Sequence, residues 1–221
     1  MYKVMKSFLC TGCSNPVIST GHISVDIGAS ANLEVVDKFC YLGDMLSVDG
    51  DADAAVEARI QIGWNKFRQL APLLTNRDIS LIRRGRLYSS CVRSFMLHGS
   101  ETWSVRKENE VSLQQAKMRM VRWMCNVQVN DGVPSKELRE RLGIDYIILQ
   151  QNRLRWYRHV LRKEDTDWVK KCMEYEVEGS RPRGRPKRTW TAVVQKDRQT
   201  CNLNREDAMD RSRWKKLIKT G

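Results

Sequence analysis

The sequence predicts a mainly α-helical chain: a helical bundle, further C-terminal helices and one small β-hairpin near the N-terminus. Three observations carry that expectation. From about residue 55 onward apolar residues recur at spacings of three and four, the period of a helix that buries one face. Only residues 32–47 gather β-branched and aromatic side chains into short runs broken by a glycine. The chain has 221 residues, 41% apolar and 29% charged, enough to build a core and too apolar for wholesale disorder.

The elements follow in order. Leu33, Val35, Val36, Phe39 and Tyr41 supply the apolar positions of two short strands, and Gly43 sits at the break between them. Asp49, Asp51 and Asp53 then alternate as in a calcium loop. Such a loop starting at Asp49 needs Gly at its sixth position and Glu at its twelfth, and the chain has Ala54 and Ile60 there. The acids are therefore expected to cap the next helix and to complement its dipole. In that helix Val56, Ile60, Gly63, Phe67, Leu70 and Leu74 form the inward stripe, with Arg59, Lys66 and Arg68 off it and a kink or fray at Pro72. A second helix, capped by Asp78, turns Leu81, Tyr88, Cys91, Val92 and Phe95 inward and Arg83, Arg84, Arg86 and Arg93 outward, stopping at Gly99.

A third helix spans about 107–125, with Leu113, Ala116, Met120, Trp123 and Met124 inward. A short helix starts at Ser135 and ends at Gly143, and a longer one covers about 145–163. Two more are expected at about 187–200 and 204–219, the last carrying Trp214 beside Lys215 and Lys216.

Charge is the strongest functional signal. Lys and Arg number 39 against 26 Asp and Glu, a net +13. Residues 179–221 hold 13 basic and 4 acidic side chains, so +9 of the excess lies there. Residues 131–178 balance at 10 and 10. A nearly single-signed segment interleaved with Trp190 and Trp214 is the footprint of a polyanion partner, nucleic acid before all others. No run of about 18 apolar residues offers a membrane span, and the first residues lack the apolar stretch of a secretory leader. Seven scattered cysteines are odd in number and suit a reducing compartment better than a disulfide scaffold. A soluble protein of nucleus or cytoplasm is expected.

Two stretches carry the binding residues. In the helix at 145–163, Ile147, Gln151, Leu154, Arg158 and Leu161 make one row. Asn152, Arg155, Trp156, His159 and Lys163 make a second, in which cations suit phosphates and Trp suits a stacked base. The competing reading puts Trp156 in the core and the charges in solvent. The segment Arg181-Pro182-Arg183-Gly184-Arg185-Pro186-Lys187-Arg188 is kept extended by Pro and Gly. It has the pattern of an AT-hook, whose arginines follow the negative potential of a narrow minor groove. General backbone binding to DNA or RNA is favoured over true A·T reading.

Self-contained chemistry is not expected. Cys10 and Cys13 have zinc-knuckle spacing, but a tetrahedral site needs two more ligands, and an empty half-site is the favoured reading. Phosphoryl transfer on two metals needs converging carboxylates, and the chain has no Asp-Asp pair. His22, His98 and His159 are far apart in sequence, and no Walker-type glycine loop is present.

The order of motifs resembles the region downstream of the catalytic palm in non-LTR (LINE-type) retrotransposon reverse transcriptases. It runs from Phe39-Cys40-Tyr41-Leu42-Gly43-Asp44-Met45-Leu46-Ser47 through Glu57-Ala58-Arg59-Ile60 and Trp64-Asn65-Lys66-Phe67. Next come Leu97-His98-Gly99-Ser100-Glu101-Thr102-Trp103 and Met118-Arg119-Met120-Val121-Arg122-Trp123-Met124-Cys125. The series ends with Arg153-Leu154-Arg155-Trp156-Tyr157-Arg158-His159-Val160 and Gly184-Arg185-Pro186-Lys187-Arg188-Thr189-Trp190.

The resemblance implies a primer-grip-like hairpin at 32–50, with Tyr41, Leu42 and Gly43 at its turn, and a thumb-like bundle at 51–104 that grips template–primer. It implies a C-terminal helical region at 105–178 and a basic nucleic-acid-binding tail at 179–221. Residues 1–31, expected to be poorly ordered, match the remnant of a cysteine-rich insert whose last ligand pair would be Cys10 and Cys13. The family's Ala-Asp-Asp motif, and the magnesium it would hold, have no counterpart in these residues. The implied chain is a truncated copy or mis-assembled gene product, not an enzyme by itself, with no cofactor of its own. Its partners are RNA and DNA. An inert relic and a domesticated AT-hook protein are the rival expectations.

Overall fold

The structure is a computed structural model that describes residues 24–26, 32–34, 38–41, 44–47, 51–144, 149–175 and 189–220. It is mainly α-helical. Strands β1 (Ser24–Asp26) and β2 (Asn32–Glu34) pair antiparallel, as do β3 (Lys38–Tyr41) and β4 (Asp44–Ser47). The second pair is the expected hairpin, with Tyr41 opposite Asp44 and Phe39 opposite Leu46. Leu42 and Gly43, which join its strands, lie outside the described residues. The first pair is a correction. Residues 32–34 pair backward with 24–26, so the expected boundary at 31/32 falls inside a strand pair.

The helices are α1 (Asp53–Leu74), α2 (Leu81–Leu87), α3 (Ser94–Met96), α4 (Lys107–Cys125), α5 (Ser135–Leu142), α6 (Leu149–Leu161), α7 (Trp168–Glu174), α8 (Trp190–Thr200) and α9 (Arg211–Thr220). A π-helical turn, Tyr88–Arg93, joins α2 to α3. Hydroxyls compete for its carbonyls: Ser90 Oγ donates to the oxygens of Arg86 (3.0 Å) and Leu87 (3.2 Å), and Ser94 Oγ donates to that of Ser90. Such back-bonding widens a helix locally.

Two cores divide the described residues. The first collects Val56, Phe67 and Leu74 of α1, Tyr88, Val92 and Met96 of the second helical stretch, Leu113, Met120 and Met124 of α4, and Leu138 and Leu142 of α5. Burying one large aliphatic or aromatic side chain contributes about 1.5–3 kcal/mol. Two glycines let the helices meet. A Cβ on Gly63 would lie 2.2 Å from Met96 Cγ, and one on Gly85 would lie 1.8 Å from the Leu142 carbonyl oxygen. This core crosses the expected 104/105 boundary.

The second core joins Leu154, Tyr157 and Leu161 of α6 to Val194 of α8 and to Trp214 and Ile218 of α9. Tyr157 is its hub. Its ring lies 6.4 Å from that of Trp190 and 6.5 Å from that of Trp214. The Arg198 guanidinium sits 5.5 Å above the Tyr157 ring and donates to its hydroxyl at 3.2 Å. A buried ion pair, Arg153 Nε to Asp197 Oδ2 at 2.8 Å, ties α6 to α8. This core crosses the expected boundary at 178/179.

The seam between the cores is the 3₁₀ turn Ser100–Thr102, entered through Gly99 at φ 79°. Ser100 is fully buried and its Oγ accepts from Asn152 Nδ2 at 3.3 Å. The Glu101 carbonyl accepts from the Trp190 indole at 2.8 Å. Motifs far apart in the resemblance thus meet in space.

Several expectations are corrected. Arg59, expected off the stripe, is 5% exposed. Arg84, expected outside, donates to the carbonyls of Ile79 (2.9 Å) and Met124 (2.7 Å). Phe95 and Trp123, expected inside, are 42% and 51% exposed. The reason for the last is lateral packing. Trp123 lies 5.4 Å from Phe67 and 6.4 Å from Trp64, so one ring face is covered and the other is open. Capping differs too: α1 begins after Ala52, α2 after Ser80 and α5 after Pro134, none with a side-chain cap bond. Asp51 and Asp53 instead face Arg106 at 3.9 and 3.7 Å, and Asp53 accepts from Asn109 at 2.7 Å.

Candidate nucleic-acid interface

The exposed side of α6 is the best-described part of the expected interface. Leu154, Tyr157 and Leu161 face the second core, which leaves Arg155 and His159 on the opposite, open side of the helix. Arg155 and His159 are exposed. Trp156 is half-buried and its ring lies 5.6 Å from that of His159, tilted by 33°. This arrangement leaves the two rings as one partly open aromatic surface beside a guanidinium.

The rest of the expected row is engaged in the fold. Asn152 is committed to Ser100 in the seam. Lys163 is held by Asp167 at 2.8 Å, one turn on. That pair and Lys170 with Asp165 brace the loop between α6 and α7. The Lys170 hydrogen bond holds the Asp165 carboxyl below the usual carboxylate range, and the Lys163 hydrogen bond does the same for Asp167.

The C-terminal segment changes meaning more. Trp190 and Trp214 interleave with cations in sequence as stacking groups would, yet both hold the fold. Trp214 is 1% exposed, and Trp190 is half-buried with its indole bonded to the seam. Their burial lifts the cations outward: Lys196, Arg205, Arg211, Arg213, Lys215 and Lys216 are all exposed. Arg205 pairs with Glu174, and Arg213 with Asp207 at 3.1 Å. Arg181, Arg183, Arg185, Lys187 and Arg188, with Cys10 and Cys13, lie outside the described residues.

One aromatic escaped sequence reasoning. Trp168 opens α7 and is 76% exposed, with the Lys171 ammonium 5.6 Å from its ring centre. A seven-residue helix has too little periodicity to reveal which side of it is open, so no signal pointed there. An exposed indole beside a cation is a base-stacking platform in chemical terms.

Two clefts are lined by polar groups. One, about 400 Å³, lies between Arg86, Ser89, Ser90, Arg93 and Gly143, beside the π-helical turn. The other, about 620 Å³, is lined by Gln195, Arg198, Gln199, Asn202, Leu203 and Asn204 at the end of α8. The first presents two arginines and two serines, the second one arginine among four carboxamides. Neither gathers a nucleophile with a base: His98 and His159 are exposed and on different elements. Burial raises the thiols of Cys125 and Cys201, which keeps them protonated and poorly nucleophilic. Among the described residues no three His, Cys, Asp or Glu side chains are grouped as a metal ion requires, and no helix is long and apolar enough to cross a membrane.

Searches of known proteins add nothing to this geometry: no family profile, no curated protein and no solved structure matches the chain.

Proposed function

We infer that the chain is a nucleic-acid-binding C-terminal region of a non-LTR retrotransposon reverse transcriptase, contacting template–primer or target nucleic acid without a catalytic site of its own. The observation that carries the reading is the placement of the C-terminal charge. Within that basic segment, residues 189–220 fold on an aromatic core that leaves Lys196, Arg205, Arg211, Arg213, Lys215 and Lys216 exposed. Phosphates neutralised there would release their counterions, the main source of affinity for such surfaces. The open indole of Trp168 and the Trp156–His159 surface suit unpaired bases, and the family resemblance supplies the primer, template or target as the natural ligand.

Competition tests this reading. The chain should hold a labelled single-stranded RNA or a DNA duplex in the presence of excess polyglutamate, because only nucleic acid both releases condensed counterions and offers bases to stack. Displacement by polyglutamate at equal charge would reduce the reading to unspecific charge attraction. In primer extension with Mg²⁺ the chain should add no nucleotide, and template-dependent synthesis would contradict the non-catalytic half of the reading. An equal affinity for A·T-rich and G·C-rich duplexes is expected, and a strong A·T preference would favour the AT-hook reading of residues 181–188.

A further inference from the structure

The second unit has a feature that its packing does not use. Its side-chain nitrogens Arg153 Nη1, Arg158 Nε, Arg198 Nε and Trp214 Nε1 are buried with no hydrogen-bond partner, and all four are donors. A buried donor without an acceptor costs about 1–3 kcal/mol. Arg153 and Arg198 recover part of that through Asp197 and through Tyr157 and Leu203. Arg158 Nε has no acceptor among the described residues.

Its surroundings are basic. Arg162 follows one turn later, just past the end of α6, with its backbone N–H on the Arg158 carbonyl at 3.3 Å, which keeps the two side chains on one side. The Tyr157–Trp214 contact brings α9 against α6 at this level. Arg211 opens α9, three residues before Trp214, and is exposed. The nearest acid, Asp210, has its Oδ1 engaged by the N–H groups of Ser212 and Arg213. Desolvation, then Arg162, then Arg211 push the Arg158 guanidinium below its usual range, and Asp210 opposes them. Three basic side chains at this packing of α6 against α9 thus share one acid, Asp210.

The geometry points to a phosphate-binding site at the junction of α6 and α9, formed by Arg158, Arg162 and Arg211. Resting on the nucleic-acid reading above, its ligand is a backbone phosphodiester, and free phosphate shares the chemistry. Guanidinium groups present flat pairs of N–H donors matched to phosphate oxygens. An anion there would offset both the mutual repulsion and the unmet hydrogen bonding of Arg158. Arg155, exposed on α6, would extend the track.

Two measurements on the full chain test it. The first follows the Arg158 Nε–H resonance as sodium phosphate is added. A saturable shift is expected, absent in the double variant R162A/R211A, whose side chains are both exposed. The second compares log affinity against log salt for a DNA duplex. R162A/R211A should flatten the slope by about 2, one for each phosphate that is no longer neutralised. K196A/K215A removes equal charge from other positions and should flatten it less. No phosphate shift together with a slope equal to the K196A/K215A control would overturn the site while leaving nucleic-acid binding intact. A phosphate shift in a chain that binds neither RNA nor duplex would keep the site and sink the nucleic-acid reading. Absence of both overturns both.

Discussion

The two units solve the same packing problem with different materials. The first is closed by aliphatic side chains, methionines and helix–helix approaches at Gly63 and Gly85. The second is smaller and is held by a tyrosine between two tryptophans, a buried guanidinium–carboxylate pair and arginines laid on rings. The first unit also buries cations, Arg59 and Lys117, and ties Arg84 to the Ile79 and Met124 carbonyls. In the second, each cation in the interior is tied to a partner or stranded without one. The second unit strands side-chain donors on Arg153, Arg158 and Arg198, and a bound anion would offset that cost.

Variants that break the contrast should be felt most in the second unit. Trp214→Ala should cost about 3–5 kcal/mol, read as a shift of the denaturation midpoint, since it empties the centre of a small core. Asp197→Ala should cost about 3–5 kcal/mol, because it leaves Arg153, 2% exposed, charged and unpaired. The double variant Arg153→Met/Asp197→Leu should recover most of that, which separates the cost of a stranded charge from the worth of the pair. Asp53→Ala in the first unit should cost under about 1 kcal/mol, its partner Arg106 being half exposed.

Gly85→Ala would sharpen the description of the first unit. The added Cβ meets backbone, not a flexible side chain, so a destabilisation of about 1–3 kcal/mol is expected. Trp168→Ala should leave the denaturation midpoint in place and weaken single-stranded RNA binding by about 1–3 kcal/mol, with little effect on duplex. Equal weakening on both ligands would make Trp168 a general contact and not a stacking group.

The smallest effect is a pH dependence. Asp165 and Asp167 are held below their usual 3.8 by Lys170 and Lys163. Their pairing therefore supports the fold above that pH and is lost as pH falls further, through the folded-state values. Amide exchange in residues 163–170 should quicken below about pH 4 before the first unit opens.

How much of this was legible depends on the kind of signal. Long helices with three-and-four periodicity, such as Lys107–Cys125, are plain in sequence because apolar spacing is a local property. The hairpin Lys38–Tyr41 with Asp44–Ser47 was legible for the same reason. What was not legible is which neighbour satisfies each polar or aromatic group. Arg84 looks like a surface cation until α4 ends beside it, and Trp190 looks like a stacking residue until the Glu101 carbonyl appears 89 positions away. The α6 row divides in the same way. Arg155, Trp156 and His159 keep an open side, whereas Asn152 and Lys163 are spent on partners that periodicity does not reveal.

The central claim is that the surplus charge of this chain is a nucleic-acid surface. The most direct test is the affinity of the intact chain for a short DNA duplex between about 50 and 200 mM salt. About five phosphate contacts would give a slope near −4.5 in log affinity against log salt. Absence of binding at the low-salt end, or an affinity flat across that range, would contradict the account.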